Sequence, residues 1–390
     1  NAAALAEATA AKETCEALIC ECAAEKYLEG RECTDCPAGH TCDGVTATKC
    51  AADKYVDANA CLACPAGFGC DGTDAMYFVA DKSELETMLA AWKENATSAK
   101  VQYGRLPAWN TSNVTDMMGL FSEDGTFNEN IGGWDTSSVT SMRLTFLRAA
   151  TFNQPIGAWD TSKVTDMEGA FAYATAFDQP IGDWNTSKVT NMDYAFAHAA
   201  AFNQDIGGWD TSKVTRMMKL FAQTTFNQAI GDWDVSKVTS MAETFDQATA
   251  FNQDISAWDT SKVTDMYATF YDAAVFNQDV GGWDTSAVTN MEFAFYGTAF
   301  DQDIGAWDVS SVTNMEMTFE GAAVFNQDIG AWDVSSVTIM YAMFREATAF
   351  DQNISAWNTS FVEDMEDMFV DSGLKSCPSW AVDTDALGPC

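Results

Sequence analysis

The sequence lacks the features that mark several common classes of protein. Its 390 residues contain no run of about 18 apolar residues, so they encode no transmembrane helix. Basic residues are few, since 20 Lys and Arg stand against 57 Asp and Glu, for a formal net charge of −37. This charge argues against nucleic acid and anionic lipid as partners, because both recruit Lys and Arg. The opening segment shows no signal-peptide pattern, so we expect a mature form whose leader has been removed.

Residues suited to catalysis are also scarce. The chain has two histidines, His40 and His198, and neither stands near a cysteine or serine in a pattern typical of a nucleophile. The sequence contains no phosphate-binding loop of the G-x-x-x-x-G-K-[ST] type, no H-E-x-x-H motif and no G-x-S-x-G motif. We therefore expect a non-enzymatic protein without catalytic residues and without a cofactor.

Cysteine, in contrast, is abundant in one part of the chain. Ten of the twelve cysteines lie between Cys15 and Cys70. This density is typical of an oxidising compartment, so we expect a secreted, extracellular or cell-surface protein whose cysteines form disulfides. The cysteines expected in disulfides are Cys15, Cys20, Cys22, Cys33, Cys36, Cys42, Cys50, Cys61, Cys64, Cys70, Cys377 and Cys390. Their connectivity within the N-terminal region stays open.

The cysteine-rich region is a tandem repeat. Residues 22–49 recur as 50–77, and CPAGHTCDG becomes CPAGFGCDG. The C-x2-C pairs also admit zinc, but His40 has no counterpart in the second copy, where Phe68 stands, and the turns favour disulfides. The text resembles the ephrin-receptor-like and tumour-necrosis-factor-receptor-like cysteine-rich modules. We assign a disulfide-rich region to residues 15–77, after an Ala-rich segment at 1–14.

A second repeat fills most of the remaining chain. Tryptophans from Trp109 to Trp357 recur every 25 residues, with two steps of 24. The consensus is F-N-Q-D-I-G-x-W-D-[TV]-S-x-V-T-x-M-x3-F. A fixed period in this range is typical of a solenoid with one coil per repeat. We predict eleven coils over residues 106–370.

Two periodicities within each repeat predict its secondary structure. In I-x-x-W-D-[TV]-S, the Trp and the following Thr or Val share one parity, which favours a short strand with these residues buried. In V-T-x-M-x3-F, the apolar residues fall at i, i+3 and i+7, which favours a short helix. The predicted fold class is therefore an α/β repeat solenoid, leucine-rich-repeat-like, that follows an N-terminal disulfide-rich module.

The repeat text resembles the BspA-type leucine-rich-repeat surface proteins in their W-D-x-S-x-V-T-x-M-x3-F form. The resemblance implies a surface protein, and residues 78–105 are similar to the family's N-terminal helical cap. Ser83 and Glu86 are predicted to form a capping box at the start of that helix. Residues 371–390 depart from the consensus and are interpreted as a C-terminal cap with a Cys377–Cys390 bridge.

Polar residues of the repeats offer two further kinds of candidate site. The Asp after each Trp is interpreted as an Asx turn, and Ca²⁺ bridging between coils is the alternative. The calcium candidates are Asp210, Asp234, Asp259 and Asp284. N-x-[ST] sequons are glycosylation candidates, of which Asn95 is favoured because we expect it to end a helix outside the repeats. The sequons are Asn95, Asn110, Asn113, Asn185, Asn353 and Asn358.

These observations favour a cell-surface repeat protein that presents a regular face for adhesion or for recognition of extracellular proteins or glycans. The first alternative is a structural subunit of an extracellular filament or sheath, in which copies of the chain bind each other. The second is an ice-binding or calcium-dependent surface protein, with rows of Thr such as Thr211 and Thr260 as the ice-binding feature. Val235, Val309 and Val334 interrupt that row. A binder should show one patch that departs from the consensus.

Overall fold

The computed structural model describes residues 77–381 in full and, before them, the backbone of eight short strands. The chain divides into two compact units, residues 1–113 and 114–390, which are treated separately below. Within the described residues, no helix has the length and apolar character needed to span a bilayer.

The first unit contains four separate two-stranded antiparallel sheets. The same two hairpins occur twice with a shift of 28 residues, as the tandem repeat of the sequence predicts. The strands are β1 Lys26–Glu29 with β2 Glu32–Asp35, β3 His40–Cys42 with β4 Ala47–Lys49, β5 Lys54–Asp57 with β6 Ala60–Ala63, and β7 Phe68–Cys70 with β8 Ala75–Tyr77.

Helix α1, Lys82–Tyr103, follows the hairpins and corrects one prediction. Its N-cap is Asp81, whose Oδ1 accepts the Glu84 N–H at 2.9 Å, while Glu84 Oε2 accepts the Ala80 N–H at 2.7 Å. The capping box therefore lies two residues before the one predicted at Ser83 and Glu86, because Asp is an equally good cap. Gly104, at φ 76°, ends the helix, and a 3-10 helix follows at Leu106–Ala108.

The second unit consists of repeats that pair with each other in register. Each repeat makes a parallel bridge to the next through the residue before its buried Met, from Asp116–Ser141 to Ile339–Asp364. Beside these bridges, a Thr N–H donates to the Thr carbonyl of the preceding repeat. Thr165, for example, donates to Thr140 at 2.9 Å. Every repeat is therefore held to its neighbour by backbone hydrogen bonds.

Stacked aromatic rings form the core of these repeats. Trp184, Phe196 and Phe202 are each at most 3% exposed. The ring centroids of Phe196 and Phe202 lie 4.1 Å apart within one repeat, and those of Phe171 and Phe196 lie 5.5 Å apart between repeats. Trp184 stacks on Trp209 at 6.5 Å with an interplanar angle of 3°. The predicted stacking of Trp on Trp and Phe on Phe is confirmed, and each buried Phe stabilises the array by about 1.5–3 kcal/mol.

The short helix predicted over V-T-x-M-x3-F does not form. The backbone N–H groups there alternate in direction: Leu120 donates to Met117 in its own repeat at 3.1 Å, whereas Gly119 donates to Arg143 in the next repeat at 3.0 Å. The residue two positions after each Met is left-handed, as at Leu144 with φ 54°, and a left-handed residue interrupts a helix. A chain of turns buries the same apolar residues as a helix would, which is why the pattern was ambiguous.

The segment I-x-x-W-D-[TV]-S has the predicted burial but is not a strand. Trp209 and Thr211 are buried and Asp210 is exposed. Side chains link this segment to the neighbouring repeats: Trp209 Nε1 donates to Ile181 O at 3.1 Å, and Thr211 Oγ1 donates to Asp234 O at 3.0 Å. The alternation of burial was therefore correctly predicted, while the strand assignment was wrong.

A ladder of Asn and Asp side chains satisfies the backbone of the connecting loop. Asn203 Oδ1 accepts the Asn227 N–H at 2.9 Å and the Gln228 Nε2 at 3.1 Å. Asn252 Oδ1 likewise accepts the Asn277 N–H at 2.9 Å. These bonds explain why N-Q recurs after the Phe, since they give the backbone N–H groups of an irregular loop their hydrogen-bond partners.

The repeat hydrogen bonds continue into the segment that was predicted to be a separate cap. Trp380 Nε1 donates to Ile354 O at 3.0 Å, as the repeat tryptophans do, and its ring lies 6.4 Å from Phe369. The Lys375 N–H donates to Asp351 Oδ1 at 3.0 Å, and its ammonium pairs with the same carboxylate. The start of the predicted cap, 371–390, therefore repeats the contacts of the array up to Trp380.

Candidate functional site

The Asp residues considered for calcium all lie in Asx turns. In Asp210, Asp234, Asp259 and Asp284, Oδ1 accepts the N–H of the serine two residues later at 3.0–3.1 Å. Hydrogen bonds from that serine lower the pKa of Asp210, Asp234 and Asp259. Among the residues that the structure describes, no group of three or more His, Cys, Asp or Glu could hold a metal ion. The structure thus gives these carboxylates a role in the turn and does not assemble them into a metal site.

The six sequons lie on the surface to different degrees. Asn110 is half-buried and the other five are exposed. Asn95 was predicted to end its helix. It lies instead at a kink within α1, where its φ and ψ are −158° and 93°. Asn113 uses its Nδ2, the atom that would carry a glycan, to donate to Val79 O at 3.4 Å. Glycosylation at these positions stays a prediction.

Most of the predicted disulfides fall outside the described part of the chain. The structure does not describe the side chains of the ten cysteines from Cys15 to Cys70, nor Cys390, so their disulfides and pairing stay predictions. Cys377 is disulfide-bonded. Its predicted partner, Cys390, lies beyond the described residues.

The Thr row that was considered for ice binding faces the interior. Thr211 and Thr260 are 3% and 2% exposed, and Val235 in the same row is 1% exposed. Thr260 Oγ1 donates to Asp284 O at 2.9 Å. A buried row cannot contact ice, so the premise of that alternative is wrong.

One surface departs from the repetitive consensus, and we call it the variable face. In each M-x3-F segment between residues 117 and 371, it comprises the two residues after the Met and the two residues after the Phe. In the repeat of Met117 these residues are Met118, Gly119, Ser122 and Glu123, and elsewhere they include Arg, Lys, Tyr, His and carboxylates. Most other positions of the repeat are buried, bridge two repeats or conform to the consensus. The exposed column before the Val, with Lys188, Ser311 and Phe361, also varies but has no left-handed residue. The variable face is therefore the candidate site of recognition.

The backbone of the variable face is strained. Among residues 77–381, all 18 non-Gly residues with positive φ lie on it, at the second position after the Met or the second position after the Phe. Glycine would adopt this conformation without cost, whereas each L-residue there costs about 1–2 kcal/mol. Glycine occupies the columns only at Gly119, Gly169, Gly297 and Gly321. Side chains retained at such positions point to a use for those side chains.

The first part of the face, residues 118–223, is called the N-terminal segment, and its cations pair with acids of adjoining repeats. Arg148 lies 3.0 Å from Glu123 and 5.3 Å from the ring centroid of Tyr173. Tyr173 stacks on His198 at 4.0 Å, and burial lowers the pKa of His198. Arg143 pairs with Glu168 in the same way at 2.8 Å. Asp193 of the face pairs at 2.5 Å with Arg216, which lies just before Met217 in the column of parallel bridges.

The part of the face at residues 267–321 is called the C-terminal segment, and it carries aromatic rings and acids without a basic residue. Four aromatic side chains contact one another there: Tyr267, Tyr271, Phe293 and Tyr296. Burial raises the pKa of the carboxyls of Asp272, Glu292 and Glu320, which lie among these rings. No Lys or Arg occurs between residues 263 and 344.

Sequence analysis missed the variable face although its signal was present. The net charge of the whole chain does not show that cations and acids occupy particular columns. Aligning the repeats on each other shows four columns in which aromatic, basic and acidic side chains replace one another, which is the departure from the consensus that a binder should show.

Comparison with known proteins places the chain in a repeat family. The family described as "Mycoplasma protein of unknown function, DUF285" matches residues 84–208, 192–299 and 279–380. The chain belongs to this family, and the match is consistent with a BspA-type repeat protein. The matched residues begin after the cysteine-rich region, so the likeness of that region to receptor modules stays a prediction. Neither the curated proteins nor the solved structures include a match.

Proposed function

We propose that this chain is a non-enzymatic, extracellular or cell-surface repeat protein that recognises other proteins or glycans through its variable face. The observation that carries the proposal is the concentration, in four columns of a regular array, of aromatic, basic and acidic side chains that differ from repeat to repeat, with left-handed backbone in two of those columns. A solenoid of stacked repeats would hold these columns rigidly, so that side chains of adjoining repeats form one continuous recognition surface.

The chemistry of the face suits recognition. Tyr and Arg are among the side chains that proteins favour for contact with partners, because they combine a large apolar area with polar groups. The cost of holding bulky residues such as Tyr194 and Phe293 at positive φ is a second support, since glycine would make a more stable array. The extracellular location rests on the density of cysteine.

A binding screen with matched variants tests the proposal. The full-length chain would be applied to a printed array of glycans and extracellular proteins, beside three double variants. Tyr173→Gln with His198→Gln changes the N-terminal segment, and Gln occupies that same column natively at Gln223 and Gln247. Tyr271→Ala with Tyr296→Ala changes the C-terminal segment. Ala occupies the column of Tyr271 and Tyr296 natively at Ala172 and Ala197.

The control variant changes a different surface. Lys188→Ser with Lys213→Ser alters an exposed column in which Ser311 and Ser336 are native. We expect at least one face variant to lose the ligands of the parent chain and the lysine variant to retain them. Ligand binding that survives both face variants but disappears in the lysine variant would show that the consensus surface, not the variable face, performs the recognition.

A further inference from the structure

The C-terminal segment of the variable face contains a compact group of aromatic rings. The ring centroids of Tyr271 and Tyr296 lie 4.5 Å apart and nearly parallel, at 9°. Phe293 packs edge-on against both, at 5.8 Å and 6.0 Å, and against Tyr267 at 6.0 Å. All four side chains are half-buried, so each retains some surface for a ligand.

Carboxylates surround these rings, and one of their oxygens has no hydrogen bond. Glu320 is 8% exposed, and its Oε2 is buried without a hydrogen-bond partner. Its Oε1 lies 3.8 Å from Arg345 Nε, which is itself buried without a hydrogen-bond partner. A buried carboxylate oxygen left without a donor costs more than a neutral group, so a charged donor that reached Glu320 Oε2 on binding would relieve that cost. We call Tyr271, Phe293, Tyr296, Asp272 and Glu320 the aromatic–carboxylate patch.

In the N-terminal segment, a cation accompanies each such combination of an aromatic ring and a carboxylate. There, Arg148 lies over the ring of Tyr173 and pairs with Glu123. Lys219 likewise lies 5.7 Å from the ring centroid of Tyr194 and 2.6 Å from the carboxylate of Glu243. In both cases an aromatic ring and a carboxylate share one cation. The aromatic–carboxylate patch also combines rings with carboxylates, but among the described residues the cations that lie over rings are Arg148 and Lys219. Its own nearest cation, Arg345, approaches Glu320 Oε1 at 3.8 Å without a hydrogen bond from Nε.

We propose that the aromatic–carboxylate patch binds an arginine side chain of a partner protein, which rests on the recognition function proposed above. The guanidinium group is planar, so it stacks on the face of Tyr296 that Tyr271 does not cover and at the same time donates to Glu320 Oε2. Asp272, two repeats before Glu320, adds negative charge beside the rings. A lysine ammonium makes the ion pair but cannot stack, so it binds more weakly.

Charge decides against a second copy of this chain as the partner. Each copy carries a formal net charge of −37, so two copies repel at long range. A basic segment of another protein is attracted instead, and the local absence of Lys and Arg at residues 263–344 directs it to the C-terminal segment. A divalent cation is disfavoured as the ligand, because the rings of the patch leave less room for the oxygen ligands and water molecules that it requires.

Titration of the full-length chain with peptides tests the proposal. Three short blocked peptides of equal length would be compared by calorimetry at about 0.15 M salt, where diffuse attraction is screened beyond about 8 Å. They alternate glycine with arginine, lysine or citrulline. We expect the arginine peptide to bind about tenfold more tightly than the lysine peptide, because arginine makes one additional stacked and hydrogen-bonded contact. We expect the citrulline peptide, which has no charge, not to bind.

Matched variants separate the patch from general attraction to an acidic protein. Glu320→Gln removes one charge from the patch, and Asp333→Asn removes one charge from the Trp-Asp column, where Asn185 and Asn358 are native. We expect Glu320→Gln to weaken the arginine peptide about tenfold and Asp333→Asn to change its affinity less than about twofold. Tyr296→Ala should abolish the preference for arginine over lysine even if Glu320→Gln perturbs the fold, which circular dichroism would reveal.

Two results would overturn the proposal: no measurable binding of the arginine peptide, or equal losses in Glu320→Gln and Asp333→Asn. The proposed function fails by different results. If array ligands are lost in the Tyr173→Gln, His198→Gln variant while the patch ignores arginine, recognition by the face stands and the arginine site falls. If neither pair of face variants affects any array ligand, the recognition function itself is refuted.

Discussion

The two segments of the variable face have the same backbone geometry and a similar set of acids, but only the N-terminal segment has cations to match. Arg143 hydrogen-bonds Glu168 and thereby lowers the pKa of that carboxyl. At the corresponding column of a later repeat, Glu292 receives only a hydrogen bond from Asn314, and burial raises its pKa. The same position therefore holds a stabilised carboxylate in one segment and a destabilised one in the other.

The interior does not share this difference. Trp209 and Trp332 are each 4% exposed, and both donate to an Ile carbonyl of the preceding repeat at 3.1 Å. The Phe rings are fully buried in both segments, as at Phe196 and Phe319. Folding thus depends on a core that is uniform along the array, and the uncompensated acids of the C-terminal segment are a property of the surface alone. This separation is expected when binding residues are placed on a scaffold that does not need them.

The uniformity of the core is open to a direct test. Trp233→Ala and Trp332→Ala, one from each side of the array, should each destabilise the protein by about 3–5 kcal/mol, because each removes a ring from a site enclosed by two repeats. Urea unfolding followed by the fluorescence of the remaining tryptophans measures both. A clear difference between the two losses would mean that the core, and not only the face, differs between the segments.

Loss of the ion pairs of the face is the next largest effect. Arg216→Gln leaves the carboxylate of Asp193, which is 2% exposed, without its cation and with only the hydrogen bond from the Met218 N–H, and should destabilise the fold by about 2–4 kcal/mol. Arg345→Gln should cost less than about 1 kcal/mol, because Arg345 Nε makes no hydrogen bond to Glu320. Thermal melts of both variants at neutral pH supply the comparison. Equal losses would show that the pairing of the N-terminal segment has no special value.

A carboxyl between the two segments should respond to pH. Burial raises the pKa of Asp246 from 3.8 to about 6. A raised folded pKa means that stability falls as pH rises from about 4 to 6, since the folded state holds a proton that the unfolded state releases. Asp246→Asn should therefore stabilise the protein by about 1–2 kcal/mol at pH 7 and confer no advantage below pH 4. Melts at a series of pH values measure this, and a constant advantage at every pH would contradict the burial argument.

The sequence supported prediction wherever one residue type repeated in one column. The period, the stacking of Trp233 on Trp209 and the alternation of burial around Trp209 all follow from the consensus. The Asx-turn role of Asp210 follows as well, because Asp two residues before a serine N–H is a local interaction. These features depend on local geometry or on simple burial, and neither requires knowledge of how repeats pair.

Secondary structure and the candidate site could not be obtained in this way. V-T-x-M-x3-F has the spacing of a helix face, but the competing hydrogen bonds to the next repeat, such as Leu144 N–H to Glu168 O at 2.7 Å, are not local. Left-handed residues such as Tyr194 gave no warning, because only glycine signals positive φ in a sequence. The pairing of Arg148 with Glu123, 25 residues apart, becomes visible only once the repeats are aligned on each other.

The smallest expected effect tests the comparison at its most direct point, since Glu168 and Glu292 stand in the same column of different repeats. Arg143 lowers the pKa of Glu168, so its charge stabilises the fold above the unfolded pKa, and this contribution is lost as pH falls. Burial raises the pKa of Glu292, so its charge opposes folding at neutral pH. Glu168→Gln should therefore destabilise and Glu292→Gln stabilise, each by less than about 1 kcal/mol because both side chains are partly exposed. Gln retains the oxygen that accepts from Asn314 Nδ2, so Glu292→Gln removes charge without removing that hydrogen bond. Thermal melts at pH 7 in low and high salt measure both changes. Salt should diminish the Glu168→Gln change, which comes from pairing with Arg143, more than the Glu292→Gln change, which comes from burial. Shifts of the same sign would mean that the two segments do not differ in how they tolerate a buried charge.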